Sequence, residues 1–303
     1  MSMQWTGVMP AITTPFDDQG RIDHDFLAEH ARWLVAEGCS GIVGLGSLGE
    51  GGTLEPAERE ALLTTLVRAV GDQVPVVAAV AALSTAAAVE QARRAEAIGC
   101  RGLMVLPPYV YRGTWEEQRA HLRAVIEATP LSCMLYNNPV AYVVDYSPEQ
   151  IQELAQSCAN LHAVKESSTD VRRITALRAI LGDRLTLLVG VDDAAVEGAA
   201  AGARGWIAGL VNAMPRESVV LWEAAIRGDQ ATVDRIYPWF LPLLRLDTVP
   251  HFVQLIKLVQ ARVGRGSETV RPPRQVLVGG EREEALGVIA GALRTRPSVQ
   301  AAE

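Results

Sequence analysis

The chain has 303 residues, 49% of them hydrophobic, enough for one large core or two ordinary domains. Its 28 Lys and Arg stand against 35 Asp and Glu, a formal net charge of −7, and no basic cluster offers the face that nucleic-acid phosphates require. Apolar runs end early in Gly, Pro or charge, which argues against a membrane span, and the opening MSMQWTGVMP lacks the basic-then-apolar pattern of a secretory leader, so a cytoplasmic location is expected.

Short β-rich runs alternate with amphipathic helical segments. The sequence predicts strands at 7–15, 41–46, 74–80, 102–108, 132–139, 161–168, 185–192 and 205–213. Successive starts are about 20–35 residues apart, the length of one βα unit. The runs are almost continuously apolar, as parallel strands buried on both faces are. AEGCSGIV (36–43), AIGCRGLM (97–104) and AAGARGWI (200–207) repeat one helix-to-strand joint, with Gly38, Gly99 and Gly202 where a helix needs a left-handed cap. Eight such units within about 220 residues point to a (β/α)8 TIM barrel over residues 1–215, with a doubly wound sheet as the structural rival. Beyond it the pattern turns helical, which predicts a C-terminal helical region over 216–303 whose tail past Arg296 frays. Cys39, Cys100, Cys133 and Cys158 lie in or beside apolar segments without a CxxC pair, and read as reduced core residues. Neither they nor the five His show ligand spacing, so no metal is expected.

Gly44, Gly46 and Gly49 spell G-x-G-x-x-G inside GIVGLGSLGEGGTL. A dinucleotide turn should open a helix directly and be followed by an acidic residue about 20 positions on. Here GEGGTLEP intervenes, and the strand at 74–80 ends without Asp or Glu. An NAD-dependent oxidoreductase is therefore the minor reading. The preferred one is a backbone nest at the end of strand two, with Ser47 adding a hydroxyl, suited to a carboxylate or phosphate.

The chain contains 26 Arg and two Lys, Lys165 and Lys257. A lysine kept where arginine serves elsewhere suggests amine chemistry, because a guanidinium stays protonated. Lys257 sits in FVQLIKLVQARVG and is expected to flank an apolar stripe and snorkel to solvent. Lys165 lies inside strand six after Ala163 and Val164, so it is either ion-paired or a desolvated amine able to attack a ketone. Tyr136 ends strand five in LYNNP, next to Asn138, and could share the barrel mouth with Lys165 and move protons for it. Gly190, Asp192 and Asp193 end strand seven, and Tyr109 and Tyr111 end strand four; all are candidate substrate contacts, with helix capping the plainer role for the aspartates.

Taken together, GLGSLGEGGTL, LYNNP and VKESS, in that order, resemble the dihydrodipicolinate synthase / N-acetylneuraminate lyase family, from GVMPAITTPF to VRPPR. The resemblance implies a homotetrameric (β/α)8 enzyme without cofactor, in which Lys165 forms a Schiff base with a 2-oxo acid, often pyruvate. By the same resemblance Tyr136 is the proton-relay tyrosine and Ser47 the hydroxyl of the carboxylate loop. Three positions depart from the family. A second loop hydroxyl is replaced by Leu48, whose backbone amide is still available. The arginine that in the synthases follows YN-x-P is Ala141. The second relay tyrosine, given by a neighbouring subunit, aligns with Val110, which leaves either Tyr109 or Tyr111 to substitute or a shortened relay. Gly190, Asp192 and Asp193 are similar to the G-x-D-E sugar-hydroxyl site of the lyases. These departures favour a catabolic enzyme over the synthase: the reading taken is an aldolase, with a same-family dehydratase of a deoxy-sugar acid or a deaminase of hydroxyproline breakdown as alternatives that the departures favour equally. A non-catalytic 2-oxo acid sensor is a further alternative.

Overall fold

A computed structural model describes residues 3–299 of the chain. Eight parallel strands form one barrel: β1 Gly7–Pro10, β2 Ile42–Gly44, β3 Val76–Val80, β4 Gly102–Val105, β5 Ser132–Asn137, β6 Leu161–Glu166, β7 Thr186–Val189 and β8 Gly205–Ala208. They pair in the order β1-β8-β7-β6-β5-β4-β3-β2. A parallel bridge between Ala11 and Val43, with the Ile12 amide donating to the Val43 carbonyl at 3.0 Å, closes β1 onto β2. This is the expected TIM barrel, and it rules out the doubly wound sheet.

Most strands occupy only the first part of the apolar run that predicts them. The run continues because the loops at the C-terminal mouth are themselves buried, as at Ile12, Leu45, Leu106 and Leu210. Gly38, Gly99 and Gly202 have φ of +102°, +103° and +107°, a region that strains side-chain-bearing residues. In all three places the chain leaves a helix and enters a strand within six residues, so the repeated joint is a structural one.

The helices are α1 His24–Ala36, α2 Pro56–Val70, α3 Thr85–Ile98, α4 Trp115–Ile126, a single turn α5 Pro139–Tyr142, α6 Pro148–Ser157, α7 Arg172–Leu181, α8 Ala195–Ala201 and α9 Pro215–Arg227. Side chains of Asp23, Ser84, Thr114 and Ser147 cap four of them, each accepting an otherwise orphaned backbone N–H. The α9 helix follows β8, packs on α8 and β1, and meets α1 through Arg216 and Glu37 at 2.7 Å. Beyond it lie α10 Gln230–Leu244, α11 Phe252–Arg262 and α12 Gly279–Arg294. Residues 297–299 have no regular structure, and 300–303 lie outside the described residues. Among the described residues no helix is long and apolar enough to cross a membrane. The four cysteines are free and buried.

The α11 helix is buried along Val253–Gln260 on every side, not on one stripe. Its polar residues must therefore find partners inside the protein. Gln260 accepts from the Thr13 hydroxyl at 3.0 Å and approaches His30 Nε2 at 3.3 Å. His30, on α1, also lies 3.4 Å from Asn212 and stacks on Phe26. Burial pushes its imidazole from 6.5 down to about 4, the Asn212 bond opposing and Arg265 adding to the shift.

The unfolded chain therefore binds this proton at a higher pH than the folded one. Stability that a neutral His30 contributes is complete above about 6.5 and is lost as pH falls toward about 4, with a slope of at most about 1.4 kcal/mol per pH unit. His30→Phe is expected to flatten that slope in urea melts run between these limits. Identical slopes in variant and wild type would contradict the assignment.

Candidate active site

Side chains alternate along a strand, so one of every two neighbours faces the barrel axis. On β5 and β6 the register pairs Tyr136 with Lys165 and Asn137 with Glu166. Tyr136 and Lys165 point into the barrel, and the Lys165 ammonium nitrogen lies 4.0 Å from the Tyr136 ring centroid. Lys165 is 6% exposed. Asn137 and Glu166 face the other way and bind one another, Asn137 Nδ2 donating to Glu166 Oε2 at 3.1 Å. Glu166 also accepts the Ser168 amide at 2.7 Å and faces Arg173 at 3.5 Å. Asn137 further donates to Asp145 and accepts the Tyr146 amide. This outer network fixes the ends of both strands and so fixes the two inward side chains.

Asn138 caps α5 through its Oδ1, which accepts the Ala141 amide at 3.0 Å, while its Nδ2 donates to the Tyr136 hydroxyl at 2.8 Å. Cap and phenol are thereby positioned together. The α5 turn also brings back Tyr142, which sequence reasoning missed. Its hydroxyl is hydrogen-bonded to Ser47, and its ring meets that of Tyr136 edge-on at 5.7 Å and that of Tyr109 at 5.9 Å. Burial pushes the phenols of Tyr109 and Tyr142 up, so both are proton-bearing donors at neutral pH. The signal for Tyr142 was its place in NPVAY, four residues after a helix-capping Asn that returns the chain toward the mouth.

The loop after β2 carries Ser47 and Leu48. Their backbone amides have no acceptor among the described residues, which leaves a pair of donors free beside the Ser47 hydroxyl. The Leu48 side chain is buried in the core. Gly49 serves packing: a Cβ there would lie 2.7 Å from the Ile12 carbonyl oxygen. A 3-10 turn at Gly51–Thr53 separates this loop from α2, so the loop does not run from strand straight into helix as a dinucleotide turn does.

The strand-seven residues divide. A Cβ on Gly190 would lie 2.5 Å from Lys165 Cε and 2.8 Å from Cγ, so this glycine is the floor over which the lysine passes. Asp192 is fully buried and both its oxygens are occupied, by Trp206 Nε1 at 3.0 Å and by the Gly209 and Leu210 amides at 3.1 and 2.8 Å. It belongs to a closed latch between the ends of β7 and β8 and offers nothing to a substrate hydroxyl. Burial pushes its carboxyl up to about 6 against the pull of these donors and of Lys165. Asp193 is half-buried, 3.6 Å from Arg245, and lines a recess with Thr169, Glu197 and Thr248. Tyr111 stands apart from the group: its ring is exposed and its hydroxyl donates to Glu117 at 2.9 Å, at the start of α4. Val110, 91% exposed, is likewise outside the mouth.

Gly190→Ala is expected to displace the Lys165 amine and cut turnover about a hundredfold, the usual cost of an ångström-scale misplacement of a reacting group. The variant is checked by steady-state kinetics beside a melting curve. Unchanged turnover would show that the lysine does not need this floor.

The family model of the dihydrodipicolinate synthetase family matches residues 4–290. The chain belongs to this family. It is accordingly an enzyme, a lyase. The 4-hydroxy-tetrahydrodipicolinate synthase of Sorangium cellulosum is 35% identical over 269 residues, covering 88% of this chain and 89% of that one. The probable 5-dehydro-4-deoxyglucarate dehydratase of Saccharopolyspora erythraea is 33% identical over 299 residues, 97% of this chain and 94% of that one. Among solved structures, the chloride-inhibited dihydrodipicolinate synthase of Acinetobacter baumannii in complex with pyruvate superposes with a TM-score of 0.88 at 26% identity, covering 95% of this chain and 99% of that one.

Proposed function

We propose that this family member is a Schiff-base-forming lyase of a small 2-oxo acid, catabolic, cytoplasmic and homotetrameric. The observation that carries the reading is the inward pair on neighbouring strands, the Lys165 amine over the Tyr136 ring. The amine attacks the C2 ketone. The resulting carbinolamine loses its oxygen as water, taking one proton from nitrogen and one delivered by Tyr136, whose hydroxyl Asn138 holds. The protonated imine then accepts the electron pair when the C3–C4 bond breaks or a C3 proton leaves. The free amides of Ser47 and Leu48 and the Ser47 hydroxyl hold the substrate carboxylate, and the hydrogen bond between the Ser47 and Tyr142 hydroxyls fixes the Ser47 side chain beside it. Ala141 supports a catabolic role, since it removes the arginine that the resemblance places there in the synthases.

The imine leads to an enamine, so the enzyme is expected to exchange the C3 protons of pyruvate for deuterium in heavy water, read by proton NMR. Absence of exchange would overturn the reading. A second branch, expulsion of a C4 group from the same enamine, is supported by the dehydratase relative, whose match extends over more of this chain than that of the synthase.

A further inference from the structure

Asp247, in the C-terminal region, feels the charges of both Lys165 and Asp192. It follows α10 at the end of a 3-10 turn, Arg245–Asp247. Its carboxyl is laid across Gly209, the first residue beyond β8: a Cβ on Gly209 would sit 2.7 Å from Oδ2 and closer still to Oδ1. The end of a barrel strand is where substrates of this fold are bound. Oδ1 is sealed from solvent without a partner, and among the described residues the carboxyl makes no hydrogen bond or ion pair. An orphaned buried carboxyl costs stability and is retained where chemistry uses it.

We propose that Asp247 is a catalytic residue that gives its proton to a hydroxyl leaving C4 of a Lys165-bound substrate, making the enzyme a dehydratase of hydroxylated 2-oxo acids. The proposal rests on the imine reading above. With C2 held as the protonated imine, the Tyr136 oxygen takes a C3 proton and the electron pair forms the C2=C3 enamine. Those electrons return to form C3=C4 as the C4–O bond breaks. The departing oxygen takes the Asp247 proton and leaves as water. Asp247 recovers a proton from Tyr136 through solvent in the mouth, so the site is restored and one water is lost. Burial, and after it the neighbouring Asp192 charge, pushes the Asp247 carboxyl well above the usual carboxylate range and so favours the proton-bearing form.

The test compares wild type with Asp247→Asn in three assays. They are C3 deuterium exchange of pyruvate, water loss from 5-dehydro-4-deoxyglucarate (which, counted from its oxo end, has a C4 hydroxyl), and fluoride release from 4-fluoro-2-oxobutanoate. Fluoride leaves without needing a proton. The variant is expected to keep exchange and fluoride release within a few-fold and to lose water elimination by about 10²–10⁴-fold in kcat. Water loss at the wild-type rate in the variant would overturn the proposal. So would parallel loss of all three activities, which marks a structural role. A wild type that exchanges pyruvate protons but does not dehydrate the substrate overturns Asp247 and the dehydratase branch alone. A wild type that exchanges nothing overturns the imine reading beneath it.

Discussion

Lys165→Arg is expected to fold as the wild type does and to lose turnover by at least about a thousandfold. The positive charge is retained, so the field around Asp192 and Asp247, both of which feel Lys165, is largely kept. What is lost is the nucleophile. A guanidinium stays protonated and cannot form an imine with a ketone. The Tyr136 phenol, the free Ser47 and Leu48 amides and the outer Asn137–Glu166 network are all untouched. A melting temperature close to wild type with abolished deuterium exchange of pyruvate is the expected pair of results. Normal turnover in the variant would show that Lys165 is not the nucleophile.

Lys257→Met is expected to cost about 3–5 kcal/mol of stability, the price of leaving a buried charge without its partner. Lys257 is 2% exposed and Glu50 1%. Its ammonium donates to Glu50 Oε1 at 2.6 Å and to the Thr269 carbonyl at 2.7 Å, and lies 4.6 Å from the Phe16 ring centroid. Glu50 also accepts the Arg271 amide at 3.0 Å. The pair thus ties α11 and the 269–271 segment to the loop that carries Ser47. Glu50→Gln alone is expected to destabilise as well, and Lys257→Met combined with Glu50→Gln should recover part of the loss, because neither charge is then stranded. Urea melts check this; a Lys257→Met midpoint equal to wild type would contradict the pairing.

The expectation that Lys257 snorkels to solvent failed for a physical reason. Helical periodicity places a residue on a face of its own helix and says nothing of what covers that face. In α11 both faces are covered, and the partner Glu50 is 207 positions away in sequence. The barrel was more legible because each βα unit repeats an apolar run and a helix, and three of them share a glycine at the joint. Lys165 and Tyr136 were legible for the same reason, since adjacent strands with aligned ends put them side by side. The roles at the mouth were less so. Asp192 and Gly190 lie at the strand end expected of substrate contacts, yet tertiary partners turn one into a latch and the other into a floor for the lysine. Within its own chain Tyr111 stands apart from the mouth, because the turn after β4 sends it toward Glu117. Asp247 had no local signal at all, as it reaches the mouth only through the packing of α10 and α11 beyond the barrel.

The central claim is a covalent one, and intact-mass measurement after borohydride reduction addresses it most directly. With pyruvate present, the protein is expected to gain the mass of a reduced adduct, and peptide mapping to place it on Lys165 alone. A protein that gains no mass with pyruvate or any other 2-oxo acid tested, or whose adduct maps to Lys257 instead, would contradict the account.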